Sequence, residues 1–240
     1  MNPDILNPRA LDERFVVKVF MAFAALAVVA LALNVAGRFA GASIALGGHS
    51  TDTTTREVVI GNDVVVAPAN AIRFDHARHD GVAQRLDLYL RWPDMTGYSN
   101  AARDDFNIVG GRKALIYMTL EPRTMSRDMS GRLDPIYRSL IEPAGEKSDS
   151  GVLMHRFTEK SGYLGEMLAI KARPGGEALV ARCLHGAAAA ELLAPCERDI
   201  QVGDDLSLTY RFPAELLAAW PKLEYAVRAK ALEMVKTASR

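Results

Sequence analysis

The residues whose types and spacing most directly suggest chemistry are His76 and His79, three apart and flanked by Asp75 and Asp80. Imidazole nitrogens with carboxylate oxygens are ligands for zinc or copper. A metal centre needs three or four converging donors, and the remaining histidines, His49, His155 and His185, are scattered along the chain. The run Phe74 to Gly81 also reads as a polar turn between strands, so the pair is a weak candidate and the expectation is neither metal nor cofactor. The two cysteines, Cys183 and Cys196, offer either a nucleophile or a bridge. The bridge is the first reading: it closes a short loop, which stabilises by about 3 kcal/mol on the chain-entropy model, and it suits an oxidising compartment.

Three short segments resemble motifs of catalytic families. Gly97-Tyr98-Ser99-Asn100-Ala101 resembles the nucleophile elbow of α/β-hydrolases. That elbow needs a strand running straight into the turn and a parallel sheet behind it, whereas Pro93-Asp94-Met95-Thr96 intervenes. His185-Gly186 with Cys196-Glu197-Arg198 resembles the boxes of L,D-transpeptidases over 14 residues. The resemblance implies Cys196 as thiol and His185 as base in a cell-wall reaction. Such a thiolate must be free, yet Cys183 offers a partner, and Leu193-Ala194-Pro195 replaces the Ser-x-Gly of the motif. Lys160-Ser161-Gly162 is similar to one box of penicillin-interacting serine enzymes, but no Ser-x-x-Lys supplies their nucleophile. The expectation is therefore a non-catalytic protein.

Binding is the remaining chemistry. The long loop from Trp92 to Asp105 mixes aromatic and acidic residues, and Trp92, Asp94, Tyr98, Asp104 and Asp105 are its candidates for contact with a partner. A second stretch, Arg123 to Arg132, places Arg123, Arg127 and Arg132 where arginine most often braces carboxylates of its own domain.

Elements that position these residues are mostly strands. Leu86, Leu88, Leu90 and Trp92 alternate with Asp87, Tyr89 and Arg91, the period of a half-buried strand. Val58 to Ile60 and Val64 to Ala67 flank Gly61-Asn62-Asp63 as a hairpin. Further strands are expected at Ala71 to Phe74, Ala114 to Leu120, Val152 to Thr158, Glu166 to Ala172, Ala178 to Leu184, Arg198 to Val202 and Leu206 to Phe212. Leu133, Ile136, Tyr137, Leu140 and Ile141 form a helical stripe with Pro143 as its stop. Leu216 to Met234 carries a second, broken near Pro221. The pattern predicts a mainly β fold, an antiparallel β-sandwich-like domain with two helical additions, with an α+β sheet as the alternative.

Ahead of that domain, Val19 to Gly37 runs without a formal charge, and Phe15 to Val17 extend it past Lys18. About 20 apolar residues cross a hydrocarbon core, and Lys18 can snorkel to the headgroups. Arg9, Arg14 and Lys18 precede the span while Arg38 alone follows closely, which keeps the N-terminus inside. A signal peptide cleaved at Ala40-Gly41-Ala42 is the competing reading; both readings export the rest. The expected organisation is a cytoplasmic segment 1–14, a transmembrane helix 15–37, a flexible tether 38–56 rich in Gly, Ser and Thr, and an exported domain 57–240. The compartment expected is the periplasmic face of a bacterial inner membrane. Lys plus Arg and Asp plus Glu balance at 29 each with no basic cluster, which argues against nucleic acid. What remains is a membrane-anchored domain recognising another envelope protein or a cell-wall polymer, with a periplasmic thiol enzyme and a metal-binding protein as alternatives.

Overall fold

The computed structural model describes residues 13–111 and 114–236, and it divides into two compact units, Met1–Gly48 and His49–Arg240. The first is one helix, α1 (Glu13–Leu46). Within it Arg14–Gly37 is long and apolar enough to cross a membrane, with a mean hydropathy of 2.6. Phe15, Phe20, Phe23, Leu26, Leu31 and Leu33 are all exposed on it, as a lipid-facing helix requires and a water-facing one does not tolerate. Most of the segment 1–14, including Arg9, lies outside the described residues. The helix runs through the first half of the stretch expected to be a tether, because nothing from Arg38 to Leu46 breaks it: there is one glycine and no proline.

The second unit is mainly β with helical additions, in line with the alternation of its sequence. Strands β1 (Thr55–Ile60) and β2 (Asp63–Pro68) form the hairpin around Gly61-Asn62, and the two-residue β3 (Gly81–Val82) pairs with β1. The remaining strands are β4 (Leu86–Arg91), β5 (Leu115–Pro122), β6 (Ile141–Lys147), β7 (Leu153–Phe157), β8 (Glu166–Arg173), β9 (Gly176–Leu184), β10 (Cys196–Val202) and β11 (Leu206–Phe212). They make one eight-stranded antiparallel sheet in the order β4-β5-β11-β10-β9-β8-β7-β6. A short helix α2 (Gly186–Glu191) joins β9 to β10, and α3 (Trp220–Met234) closes the domain.

One face of the large sheet carries the main core. Leu86, Leu88 and Leu90, then Met118, Leu208 and Ile200, point to the same side and are buried beneath α3 and the β1–β2 hairpin. These two elements together form the second layer. Asp63, wholly buried in the hairpin turn, accepts hydrogen bonds from the backbone of Asp204 (3.1 Å) and Asp205 (3.0 Å), which fastens the small sheet to the β10–β11 turn.

The large sheet is two four-stranded halves. β9 and β10 pair only at Cys196↔Cys183 and Glu197↔Arg182 and then diverge. Into the divergence fits the Arg198 side chain, donating to the Val180 carbonyl at 2.8 Å. On the opposite face, Met129, Leu133, Tyr137 and Ile141 cover Leu168, Ile170 and Val180 in a second cluster.

Three expectations need correction. The run Ala71 to Phe74 is no strand: only Ile72 bridges to Leu88, and the turn Ala69–Ala71 precedes it. The helical stripe is helical over Leu133–Leu140, a π turn (Leu133–Tyr137) running into an α turn (Arg138–Leu140), but Ile141, read as its last member, begins strand β6. Pro143, read as a stop, lies inside strand β6, which is the sheet's edge, where a missing N–H costs nothing.

Candidate functional site

The disulfide joins Cys183 and Cys196, which face each other across β9 and β10 with Cα atoms 4.0 Å apart. The flanking bond from Leu184 N to Pro195 O makes theirs a non-hydrogen-bonded pair, the register at which opposed side chains approach closest. Both cysteines are buried and neither is free. The thiol-enzyme reading of Cys196 therefore loses its nucleophile, and His185, exposed, precedes α2 and donates its backbone N–H to Gly165.

Ser99 is likewise occupied. Its hydroxyl accepts from Ala102 N at 3.3 Å to cap the turn Asn100–Ala102, and no strand feeds it. Gly97 in the same motif has a packing role: a Cβ there would lie 2.7 Å from the backbone of Asn70 and Ala71. Tyr98 N donates to Asn70 O at 2.9 Å, and the Asn70 amide returns a bond to Tyr98 O at 2.8 Å. Gly97→Ala is expected to lower stability by about 1–3 kcal/mol through overpacking, read as a fall in the thermal midpoint; an unchanged midpoint would refute that role.

His76 and His79 are both exposed; His76 stacks on Phe74 and His79 Nδ1 lies 2.9 Å from the Asp80 carbonyl. Among the described residues no group of three His, Cys, Asp or Glu side chains converges to hold a metal. In the loop from Trp92 to Asp105, Arg91 braces Asp94 and, at 3.4 Å, Asp105. Trp92 packs half-buried against the core and Tyr98 is 1% exposed, which leaves Asp94 and Asp104 as the exposed members of the candidate set. Two arginines of the second stretch brace carboxylates: Arg123 reaches Asp205 at 3.2 Å and Arg132 pairs with Asp199.

Tyr98 is buried because His49 lies on it. The His49 ring stacks on Tyr98 at 4.6 Å and on Tyr89 at 5.5 Å, meets the edge of Phe106, and places Nδ1 3.1 Å from the Tyr89 hydroxyl. A residue read as part of a tether is thus the first fixed point of the domain. Burial holds its pKa below the ordinary 6.5, with Asn107 opposing that shift and the Arg78 charge adding to it. A depressed histidine packs best when neutral, so the clasp is complete above about pH 6.5 and weakens as pH falls through the lower, packed value. An NMR titration of the imidazole is expected to show a midpoint below 6.5; a midpoint at or above it contradicts the packing.

What the domain leaves open is the part of the sheet face opposite the main core, between the His49 cluster and the segment Met129–Ile141. A groove of about 550 Å³ lies there. Its floor is set by strand parity: Asp87, Tyr117, Thr119, Thr209, Arg211 and Glu197 alternate with the buried residues of β4, β5, β11 and β10. Residues Glu191 to Ala194, after α2, form a wall. A single cross-strand row runs Tyr89, Tyr117, Arg211, Glu197, Arg182. Along it charges alternate: Arg211 and Arg182 each reach Glu197 at 2.7 Å, and Arg182 reaches Glu166 at 3.3 Å. Burial opposes the charge on Arg182, but Glu166 and Glu197 outweigh it and raise its pKa. Arg73 lies over the Tyr117 ring at 4.9 Å, and Asp87 takes bonds from Arg85 (2.5 Å) and Thr119 (2.8 Å). These groups can donate and accept hydrogen bonds to a partner, and none is arranged as nucleophile with base. Sequence reading missed the groove; the signal was the outward parity of Arg, Glu, Thr and Tyr on four neighbouring strands.

No family model matches the chain, and no curated protein matches it in sequence. Among solved structures it is similar to Smlt3025, an immunity protein of the Stenotrophomonas maltophilia type IV secretion system, at 13% identity and a TM-score of 0.50, over 79% of this chain and 96% of that one. At that identity the likeness is one of fold.

Proposed function

We propose that this chain is a membrane-anchored, non-catalytic domain that binds a partner protein through the open, charged face of its sheet. The observation that carries the reading is the groove, where Arg211 stands exposed beside a half-buried Glu197 and Tyr117 while the neighbouring part of that face is packed. Charged groups so placed select partners and steer encounter more than they add affinity. A protein is favoured over a cell-wall polymer because the groove offers paired charges and one tyrosine under an arginine, where sugars are usually met by open aromatic platforms. The fold likeness to an immunity protein of a type IV secretion system is in keeping with that class of role, binding to another protein. The apolar helix α1 supports anchoring, and Arg14 and Lys18 at its N-terminal end favour a cytoplasmic N-terminus and an exported domain. A disulfide fits that periplasmic placement.

The test replaces Tyr117, in the groove, or Leu164, exposed on a remote loop, with p-benzoylphenylalanine in the native cell. A discrete higher-mass adduct is expected on irradiation from position 117 and not from 164. No adduct at 117, or equal labelling from both, would remove the reading.

A further inference from the structure

We infer that Arg73, lying on the ring of Tyr117, takes a single carboxylate side chain of the partner protein, with Arg211 as its second donor. The inference deepens the binding role proposed for the groove and rests on that reading.

The Arg73 guanidinium is an exposed cation held in place without a counter-ion. Its carbon lies 4.9 Å from the centre of the Tyr117 ring and 5.0 Å from that of Phe74. Among the described residues no carboxylate comes within ion-pairing distance of it. The backbone beneath is fixed from two sides: Arg73 N donates to the Asp87 carbonyl at 2.9 Å, and Arg73 O accepts from Arg78 Nη2 at 3.3 Å. A side chain ordered before binding gives up little entropy on contact. An arginine stacked on an aromatic ring presents its donors in a plane, the geometry that a carboxylate matches with both oxygens.

The other cations of the groove are paired. Arg85 gives two bonds to Asp87, at 2.9 and 2.5 Å. Glu197 is shared by Arg211 and Arg182, and Arg182 also reaches Glu166. The Tyr117 end therefore sets three guanidiniums, of Arg73, Arg211 and Arg182, against two carboxylates. Arg211 faces Tyr117 across the β5–β11 ladder, is 63% exposed and turns only Nε and Nη2 to Glu197, so it can share an incoming carboxylate. The far end of the groove is acidic: Glu121 lies four residues further along β5, about 13 Å away, and Glu191 stands exposed on the wall. Both repel further acidic groups, so the complement is one carboxylate between neutral or basic neighbours and not an acidic run. Leu192, 45% exposed on the same wall, adds an apolar contact next to the buried charge pair that would form.

The test places p-benzoylphenylalanine at Leu192 in the native cell, which leaves Arg73 and Tyr117 intact. Adduct yield is compared in the parent, in Arg73→Glu, and in Lys222→Glu, an equal change of charge on α3 at the opposite face of the sheet; the linked peptide is identified by mass spectrometry. The adduct is expected to fall at least about tenfold in Arg73→Glu and to keep its yield in Lys222→Glu. The linked peptide is expected to carry Asp or Glu within about three residues of the attachment point, a reach of roughly 10 Å. Changing that partner carboxylate to lysine is expected to restore the adduct in Arg73→Glu, which also shows that the variant is folded. An undiminished adduct in Arg73→Glu, an equal loss in Lys222→Glu, a linked peptide without Asp or Glu, a loss that the partner's lysine does not reverse, or a peptide from a second copy of this chain overturns the inference and leaves the groove a binding face. Absence of any adduct from position 192 in the parent overturns the groove reading and this inference together.

Discussion

Replacing Glu224 with alanine is expected to destabilise the domain by about 3–5 kcal/mol, the usual cost of stranding a buried charge. Arg198, 1% exposed on β10, donates to Glu224 through Nε at 3.0 Å and Nη2 at 3.3 Å. The same carboxylate accepts from the Tyr210 hydroxyl at 2.6 Å and from Arg228 at 2.7 Å, and Trp220 Nε1 donates to Tyr210 at 3.1 Å. Truncation at 224 leaves Arg198 charged and without its carboxylate between two diverging half-sheets. The double variant Arg198→Met with Glu224→Leu is expected to be far less damaged than Glu224→Ala, because it removes the pair instead of half of it. Urea unfolding of residues 49–240 measures both, and equal losses would show that packing volume alone is at stake. The pair also sets a pH dependence. Burial raises the Glu224 pKa, but Arg198 outweighs it and holds the carboxyl below its ordinary 4.5. A depressed carboxylate stabilises above its unfolded pKa, so this contribution is complete at neutral pH and is lost as the pH falls below about 4.5 toward the lower folded value.

The second large effect is expected at the disulfide. Changing both Cys183 and Cys196 to alanine removes a 13-residue closure and should cost about 3 kcal/mol. Position makes the consequence more specific than a stability loss. Only two residue pairs couple β9 to β10, and the cysteines are one of them. The closed loop also carries α2 and the wall of the groove. Hydrogen exchange should accelerate first at Leu184 and along the start of β10, ahead of β4 and β5. Uniform acceleration across all eight strands would mean that the bridge does not act as a local seam.

How much of this was legible in the sequence depended on period and exposure. Strand β4 was readable because Leu86, Leu88 and Leu90 alternate with polar residues over a half-buried sheet. The cysteine pair was readable as a bridge from count and spacing. Strand β6 was not, since Pro143 reads as punctuation unless the segment is known to be an edge. His49 was hidden in a Gly, Ser and Thr context whose backbone looks like linker, although its ring is packed by Tyr89, Tyr98 and Phe106 from distant segments. The Arg198 and Glu224 pair did leave a trace. Arg198 occupies an inward position between Cys196 and Ile200, and Glu224 follows Leu223 on the buried stripe of α3. Two opposite charges at core positions on different elements satisfy each other only if those elements pack together. The groove could not be read at all from one strand, because it exists only where four polar faces meet.

Everything proposed for the domain requires that α1 stay in the bilayer and hold residues 49–240 on the far side. Fusing alkaline phosphatase, which folds only in an oxidising compartment, after Arg240 tests it most directly. The expected result is an active fusion that resists alkaline extraction from the membrane fraction. Phosphatase inactive in the whole cell, or activity recovered entirely in the soluble fraction, would contradict it.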